Sequence, residues 1–160
     1  MDKTSSFETY QNGGTTLELQ LTILIVLTAR RWRSLADEKL RSINQSSARM
    51  EAMAAILNSP ALSSQVEIAK RLRIEGPTIT RMIDTLQKDE LVERVPHPTD
   101  RRTKQLRLTA EGEERLHEVF DLMDPLREQL FEGFTREELE QHFKFLQRLM
   151  DRLDSGKIGT

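Results

Sequence analysis

No cysteine occurs anywhere in the chain. Disulfides, thiolate zinc sites and thiol-based redox sensing, a cysteine-based peroxide sensor included, are therefore excluded. Histidine is nearly as scarce: His97, His117 and His142 stand at no spacing that suits a metal site, so no metal is assigned. There is no Gly-rich phosphate loop and no Ser/His/Asp grouping, and the paired acids Glu113/Glu114 and Glu137/Glu138 fall at helix starts, where the helix dipole accounts for them. No enzyme and no cofactor are expected. Long apolar runs are also missing. The most apolar stretch, Leu17–Ala29, has 13 residues, short of the roughly 18 that span a bilayer, and no basic-then-apolar leader precedes it. That reads as a buried helix in a cytoplasmic protein without membrane contact.

Nor does one sign of charge dominate, since 24 Lys/Arg face 26 Asp/Glu for a net of −2. The balance is local, however. Residues 64–108 hold ten Lys/Arg and seven Asp/Glu, a net of +3, and the remainder carries −5. A basic middle between acidic flanks is the asymmetry of a polyanion-binding module on an acidic support.

The periodicity predicts a largely helical chain. Residues 1–16, rich in Thr, Ser, Gly and Asn, read as a disordered tail. A helix follows over Leu17–Ile43, apolar on nearly every side between Leu21 and Leu27, and a second over Ser46–Asn58. Ser64-Gln-Val-Glu67 is a capping box that opens a short helix to Leu72, with Val66, Ala69 and Leu72 as its inner face. Ile74-Glu75-Gly76 makes a tight turn into a helix over Pro77–Asp89, with proline at the first helical position. Its inner face is Ile79, Met82/Ile83 and Leu86; its outer face is Thr78, Arg81, Thr85 and Lys88. Two short strands, Leu91–Val95 and Leu106–Thr109, flank a Pro/Asp-rich tip. Thr109 caps a long helix over Ala110–Phe131, which Pro125 should kink or break. Thr135-Arg-Glu-Glu138 is a second capping box, opening a last helix whose Leu139, Phe143, Leu146, Met150 and Leu153 repeat at spacings of 4 and 3, as in a coiled-coil seam. Residues 155–160 read as a frayed tail.

Two short helices on a tight turn, followed by a hairpin, make a winged helix-turn-helix. Between Arg94 and Arg107 the hairpin has five Lys/Arg (Arg94, Arg101, Arg102, Lys104, Arg107) against Asp100 alone, a charge excess that suits a phosphate backbone. The second helix must be amphipathic, one face packing on its partner and the other entering the major groove. Thr hydroxyls and methyls there reach bases or phosphates, and Arg81 suits a bidentate contact to guanine. The hairpin arginines suit an adjacent minor groove, where narrowed A·T tracts attract guanidinium groups. Taken singly, the hairpin could be a solvated loop and Thr78–Lys88 an ordinary exposed helix face; their succession favours DNA. The Leu17–Ala29 helix and the Leu139–Leu153 seam exceed what a winged domain of roughly 50 residues could cover, which points to a homodimer with a large apolar interface, unless they pack within one chain.

Arg73-Ile-Glu-Gly-Pro-Thr-Ile-Thr-Arg-Met-Ile-Asp-Thr-Leu86, then Leu91-Val-Glu-Arg94, Asp100-Arg-Arg102 and Leu108-Thr-Ala-Glu-Gly112, resemble the MarR family of transcriptional regulators. Arg30-Arg-Trp-Arg33 and Glu75-Gly-Pro77 lean toward its SlyA-like branch, and the resemblance covers about residues 17–154. It implies a homodimer whose helical dimerisation domain is built from residues 17–45 and 110–154. The winged domains, residues 46–109, would read a pseudo-palindromic double-stranded operator, with the protein acting as a repressor. It further implies that small anionic aromatic ligands bind between the two parts. Carried onto this chain, Thr78, Thr80 and Arg81, with Thr85 on the same outer face, are DNA contacts of the recognition helix. Ser64 and Gln65 become phosphate contacts, and Arg101, Arg102 and Lys104 wing contacts. Asp100 orients a wing arginine without touching DNA. Where many relatives have a Gly-Leu-Thr-like turn this chain has Ile43-Asn-Gln-Ser-Ser47, so the ligand-facing edge differs.

Arg30, Trp32, Arg33, Met50 and Met53 are candidates for an effector pocket, an aromatic and cations suiting a small aromatic carboxylate; the alternative makes Trp32 and the methionines core and the arginines surface pairs. A low-specificity architectural DNA binder, competing with other nucleoid proteins through phosphate contacts alone, is the competing function. A winged-helix module that binds protein instead of DNA is a third.

Overall fold

The computed structural model describes residues 6–59, 63–97, 99–100, 103–156 and 158. In chain order they form α1 (Ser6–Gln11), α2 (Leu17–Leu40), a 3-10 turn (Arg41–Ile43), α3 (Ser47–Leu57), α4 (Gln65–Leu72) and α5 (Gly76–Lys88). An antiparallel hairpin of β1 (Val92–Pro96) and β2 (Lys104–Leu108) follows, then α6 (Ala110–Leu130) and α7 (Arg136–Asp154). The chain is mainly helical with a small wing, as its periodicity predicts. The first of these helices falls inside the stretch read as a disordered tail, and no helix among the described residues is long and apolar enough to cross a membrane.

The backbone divides into two compact units, Met1–Met123 and Asp124–Thr160. All of the buried apolar core lies in the first. Ala36 and Leu40 of α2, Ala52, Met53 and Ile56 of α3, Ile68 of α4 and Ile79, Ile83 and Leu86 of α5 pack with Val92, Leu106 and Leu108 of the hairpin and with Leu116, Val119 and Met123 of α6. In the second unit α7 buries nothing; Phe143, Phe145, Leu146, Met150 and Leu153 are exposed. Leu17, Ile23, Leu24, Val26 and Leu27 in the first half of α2 are exposed as well. The boundary falls two residues before Pro125, which sits inside α6 without interrupting it as a helix. A single lost N–H donor leaves the other hydrogen bonds of a helix of 21 residues in place.

Helix starts follow the capping residues. Thr16 accepts from the Leu19 amide, Ser46 from the Arg49 amide, and both capping boxes, Ser64/Glu67 and Thr135/Glu138, are formed in each direction. One first-turn donor of α3 has a distant partner: the Ser47 amide donates to Asp37 Oδ1 of α2 at 2.7 Å, and the Ser47 hydroxyl donates to the same oxygen. Partial burial pushes the Asp37 carboxyl up. The two Ser47 bonds, with Arg33 and Arg41 nearby, outweigh that and hold it below the usual carboxylate range.

Two expectations are corrected. The inner face of α4 is Ile68 and Ala69, with Gln65 and Leu72 half-buried, whereas Val66 is 63% exposed. The buried stripe at helical spacing (65, 68, 69, 72) begins with a polar residue, so hydrophobicity alone shifts it by one position. The second strand begins at Lys104 and ends at Leu108, because Thr109 turns away to cap α6. Its Oγ1 accepts from the Gly112 amide at 2.9 Å and donates to the Glu90 carbonyl, and its amide donates to the Leu91 carbonyl at 3.1 Å. β2 is also bonded on its other edge, where the Leu106 amide donates to the Ser63 carbonyl at 2.9 Å.

α6 approaches the hairpin so closely that a Cβ on Gly112 would stand 1.9 Å from the Leu91 carbonyl oxygen. Backbone on one side and a helix axis on the other leave nothing flexible to yield. We expect Gly112→Ala to cost about 3 kcal/mol in urea unfolding; a loss under about 1 kcal/mol would show that α6 can retreat from Leu91. Asp37→Asn should cost about 1 kcal/mol at neutral pH. Because the native Asp37 carboxyl titrates below its unfolded-state range, that contribution is complete above the range and is lost as the pH falls below it, through the native titration. The difference between the parent chain and Asp37→Asn should therefore shrink in acid. A pH-independent difference would count against the Ser47 bonds as its source.

Candidate nucleic-acid interface

α4 and α5 form a helix-turn-helix. α4 closes at Arg73 in the left-handed region (φ 54°), with the Ile74 amide donating to the Ala69 carbonyl. Glu75 holds the N-cap position of α5 without a side-chain cap bond, and Pro77 lies in its first turn. Ile79, Ile83 and Leu86 bury one face of α5. On the exposed side Thr78, Arg81, Thr85 and Lys88 form one stripe. The Thr85 hydroxyl donates to the Arg81 carbonyl at 2.9 Å, which leaves its oxygen and methyl outward. Thr80, next to the stripe, is differently placed. Its hydroxyl donates to the Gly76 carbonyl at 2.8 Å and accepts from Gln65 Nε2 at 2.7 Å.

The residues expected to contact phosphate are partly occupied within the protein. Ser64 is the cap of α4, its amide and hydroxyl both donating to Glu67, and these bonds lower the Glu67 carboxyl below its ordinary range. Gln65 spends both ends of its amide: Nε2 on Thr80, and Oε1 on Arg94 Nη2 at 3.1 Å.

The wing is less basic at its base than the residue count implies. Arg94 points inward from β1, where Nη2 reaches Asp84 Oδ1 at 2.6 Å and Nη1 reaches Gln87. Arg107 pairs across the hairpin with Glu93, which stands opposite it in the register, at 2.8 Å. Lys104 is exposed. Arg101 and Arg102 lie outside the described residues. Asp100 shapes the tip: Thr103 Oγ1 donates to Asp100 Oδ2 at 2.7 Å and the Thr103 amide to the Asp100 carbonyl. His97, which carried no signal in the sequence, organises the same turn by accepting at Nδ1 from the amides of Thr99 and Asp100. Among the described residues no group of His, Asp and Glu is arranged to hold a metal.

The five effector-pocket candidates are spread over surface and core. Arg30 is exposed, Arg33 pairs with Glu51 at 2.8 Å, Trp32 and Met50 are half-buried, and Met53 is fully buried core. A groove of about 760 Å³ lies elsewhere in the first unit, lined by Asn44 and Gln45 of the turn before α3, Arg49, Asp89, and Glu111 and Arg115 of α6, among others. Arg49 crosses it to join Asp89, the C-cap of α5, at 2.8 Å. The unusual Ile43–Ser47 turn thus borders a groove.

Comparison with known proteins agrees with this architecture. Residues 46–104 match the family model described as the MarR family. Among solved structures, a mutant of MarR from E. coli complexed with operator DNA superposes with a TM-score of 0.73 at 26% identity, over 81% of this chain and 93% of that one. The S. aureus MepR–DNA complex gives 0.74 at 22% identity over 82% and 96%. A MarR/EmrR family transcriptional regulator from Acinetobacter sp. ADP1 gives 0.78 at 20% identity over 88% and 99%. The fold is the winged helix of MarR-family regulators, and the matched segment runs from the cap of α3 to the start of β2.

Proposed function

We propose that the chain is a MarR-family transcription regulator that binds DNA sequence-specifically as a homodimer and represses from a pseudo-palindromic operator. The observation that carries this reading is the outer stripe of α5. Thr78, Arg81 and Thr85 face outward at helical spacing from a helix whose other face is locked into a core, with a hairpin beside it. Neither the Thr78 nor the Arg81 side chain has a hydrogen bond or ion pair among the described residues, as suits groups reserved for another molecule. Arg81 is the residue with bidentate reach to a guanine edge. Ser64 and Gln65 stand at the first turn of α4 as the phosphate contacts of this reading, although Glu67, Thr80 and Arg94 engage their side chains. Lys104, with Arg101 and Arg102, supplies the wing's cations. Relatives of this fold have been crystallised with DNA, MarR from E. coli on its operator and MepR from S. aureus.

Dimerisation rests on the apolar surface that one chain leaves uncovered: the first half of α2, and Phe143, Leu146, Met150 and Leu153 along α7. Each helix leaves a run of large apolar side chains exposed, which monomers rarely do. Residues 17–45 and 110–154 form the dimerisation domain in this reading, and residues 46–109 the reading head. We assign the SlyA-like branch on Arg30–Arg33 and Glu75–Pro77. A small aromatic carboxylate would release the DNA in this reading; the groove beside Asp89 does not suit an anion, since Asp89, Glu111, Glu118 and Asp121 outnumber Arg49 and Arg115 there.

The test uses a duplex selected by the parent chain from a random-sequence pool and a scrambled duplex of the same composition. Arg81→Ala should cost about 1–3 kcal/mol on the selected duplex and much less on the scrambled one. Equal losses on both would replace this reading with the low-specificity architectural one.

A further inference from the structure

On α5 the positions 80, 84 and 87 form a second stripe beside the outer one, and each of its side chains is held. Thr80 is bonded to Gln65, and Asp84 and Gln87 are both bonded to Arg94. Arg94 closes the circuit by reaching Gln65 as well. A single guanidinium on β1 thus joins two residues of α5 to the first residue of α4, and that residue holds Thr80. The site is sheltered on the arginine's side: the Arg94 side chain is 24% exposed, against 57% for Asp84.

We propose that Arg94 is a specificity-determining residue that positions the recognition helix without touching DNA, a proposal that rests on the reading of α5 given above. Its planar fork satisfies three acceptors on two helices at once, which a lysine ammonium on a flexible stem cannot reproduce. Base readout depends on holding side chains within a fraction of an ångström of the productive geometry. A phosphate contact needs only a cation within reach. Thr80 and Gln65 accordingly belong to the anchoring stripe, and reading falls to Thr78, Arg81 and Thr85.

The test compares Arg94→Lys and Asp84→Asn with the parent chain on the selected and scrambled duplexes over a series of salt concentrations. Arg94→Lys keeps the charge, and Asp84→Asn changes an exposed side chain that no core residue needs. Both should lower the ratio of selected to scrambled affinity about tenfold while leaving the slope of log affinity against log salt unchanged. Simple loss of folded protein would weaken both duplexes equally and leave the ratio alone, and so would overturn the proposal. An unchanged ratio in Asp84→Asn with tighter binding to both duplexes would also overturn it, by making the pair a matter of overall charge. An Arg94→Ala variant that loses about one unit of salt slope, equally on both duplexes, would make Arg94 a phosphate contact instead. A parent chain with no preference for its selected duplex would refute the parent reading, and this one with it; a parent preference that the variants keep refutes this one alone.

Discussion

The backbone of Leu91 ties three elements together, and the placement of the others follows from it. Its amide donates to the Leu86 carbonyl at 2.9 Å, which closes the end of the recognition helix. Its carbonyl accepts from the Thr109 amide, where β2 ends and α6 begins, and lies where a side chain on Gly112 would have to be. Glu90, one residue earlier, takes a left-handed conformation (φ 60°) to make the turn, and its carbonyl receives the Thr109 hydroxyl. Recognition helix, wing and α6 therefore cannot move independently at this corner. The ion pair between Arg49 and the α5 C-cap Asp89 adds α3 to the same junction.

That rigidity explains how one helix of 13 residues can present a distinct chemistry on each side. One face of α5 is core. A second, Thr80, Asp84 and Gln87, is engaged by α4 and β1 through Gln65 and Arg94. The third, Thr78, Arg81, Thr85 and Lys88, is exposed, and its side chains bond to no other element among the described residues. Propensity alone would not hold so short a helix in water. Here it is fixed by burial on one face and by a multidentate arginine on the next. The groove lined by Arg49, Asp89 and Arg115 borders this junction, at the C-terminal end of α5.

Much of this was legible in the sequence. Capping residues placed the starts of α4, α6 and α7, and the inner face of α5 came from simple periodicity. The hairpin followed from its turn residues, although its second strand was misplaced because Thr109 reads equally as strand and as cap. The errors share a cause. Hydrophobicity marks a buried face only where that face is apolar, and two positions that matter are polar. Gln65 begins the inner stripe of α4 and was displaced by Val66. Arg94 was counted among the wing's cations, although strand alternation puts it in step with Val92, and the register sets it opposite Leu106, both buried. Period-two parity on β1 would have turned it inward.

The central claim is that two copies of α5, set by a dimer, read one DNA site. Hydroxyl-radical footprinting of the protein on its selected duplex tests this most directly. The account predicts two protected blocks related by a dyad, with their centres about 10–10.5 base pairs apart or a whole multiple of that. A single protected block, or protection without a fixed position on the duplex, would contradict it.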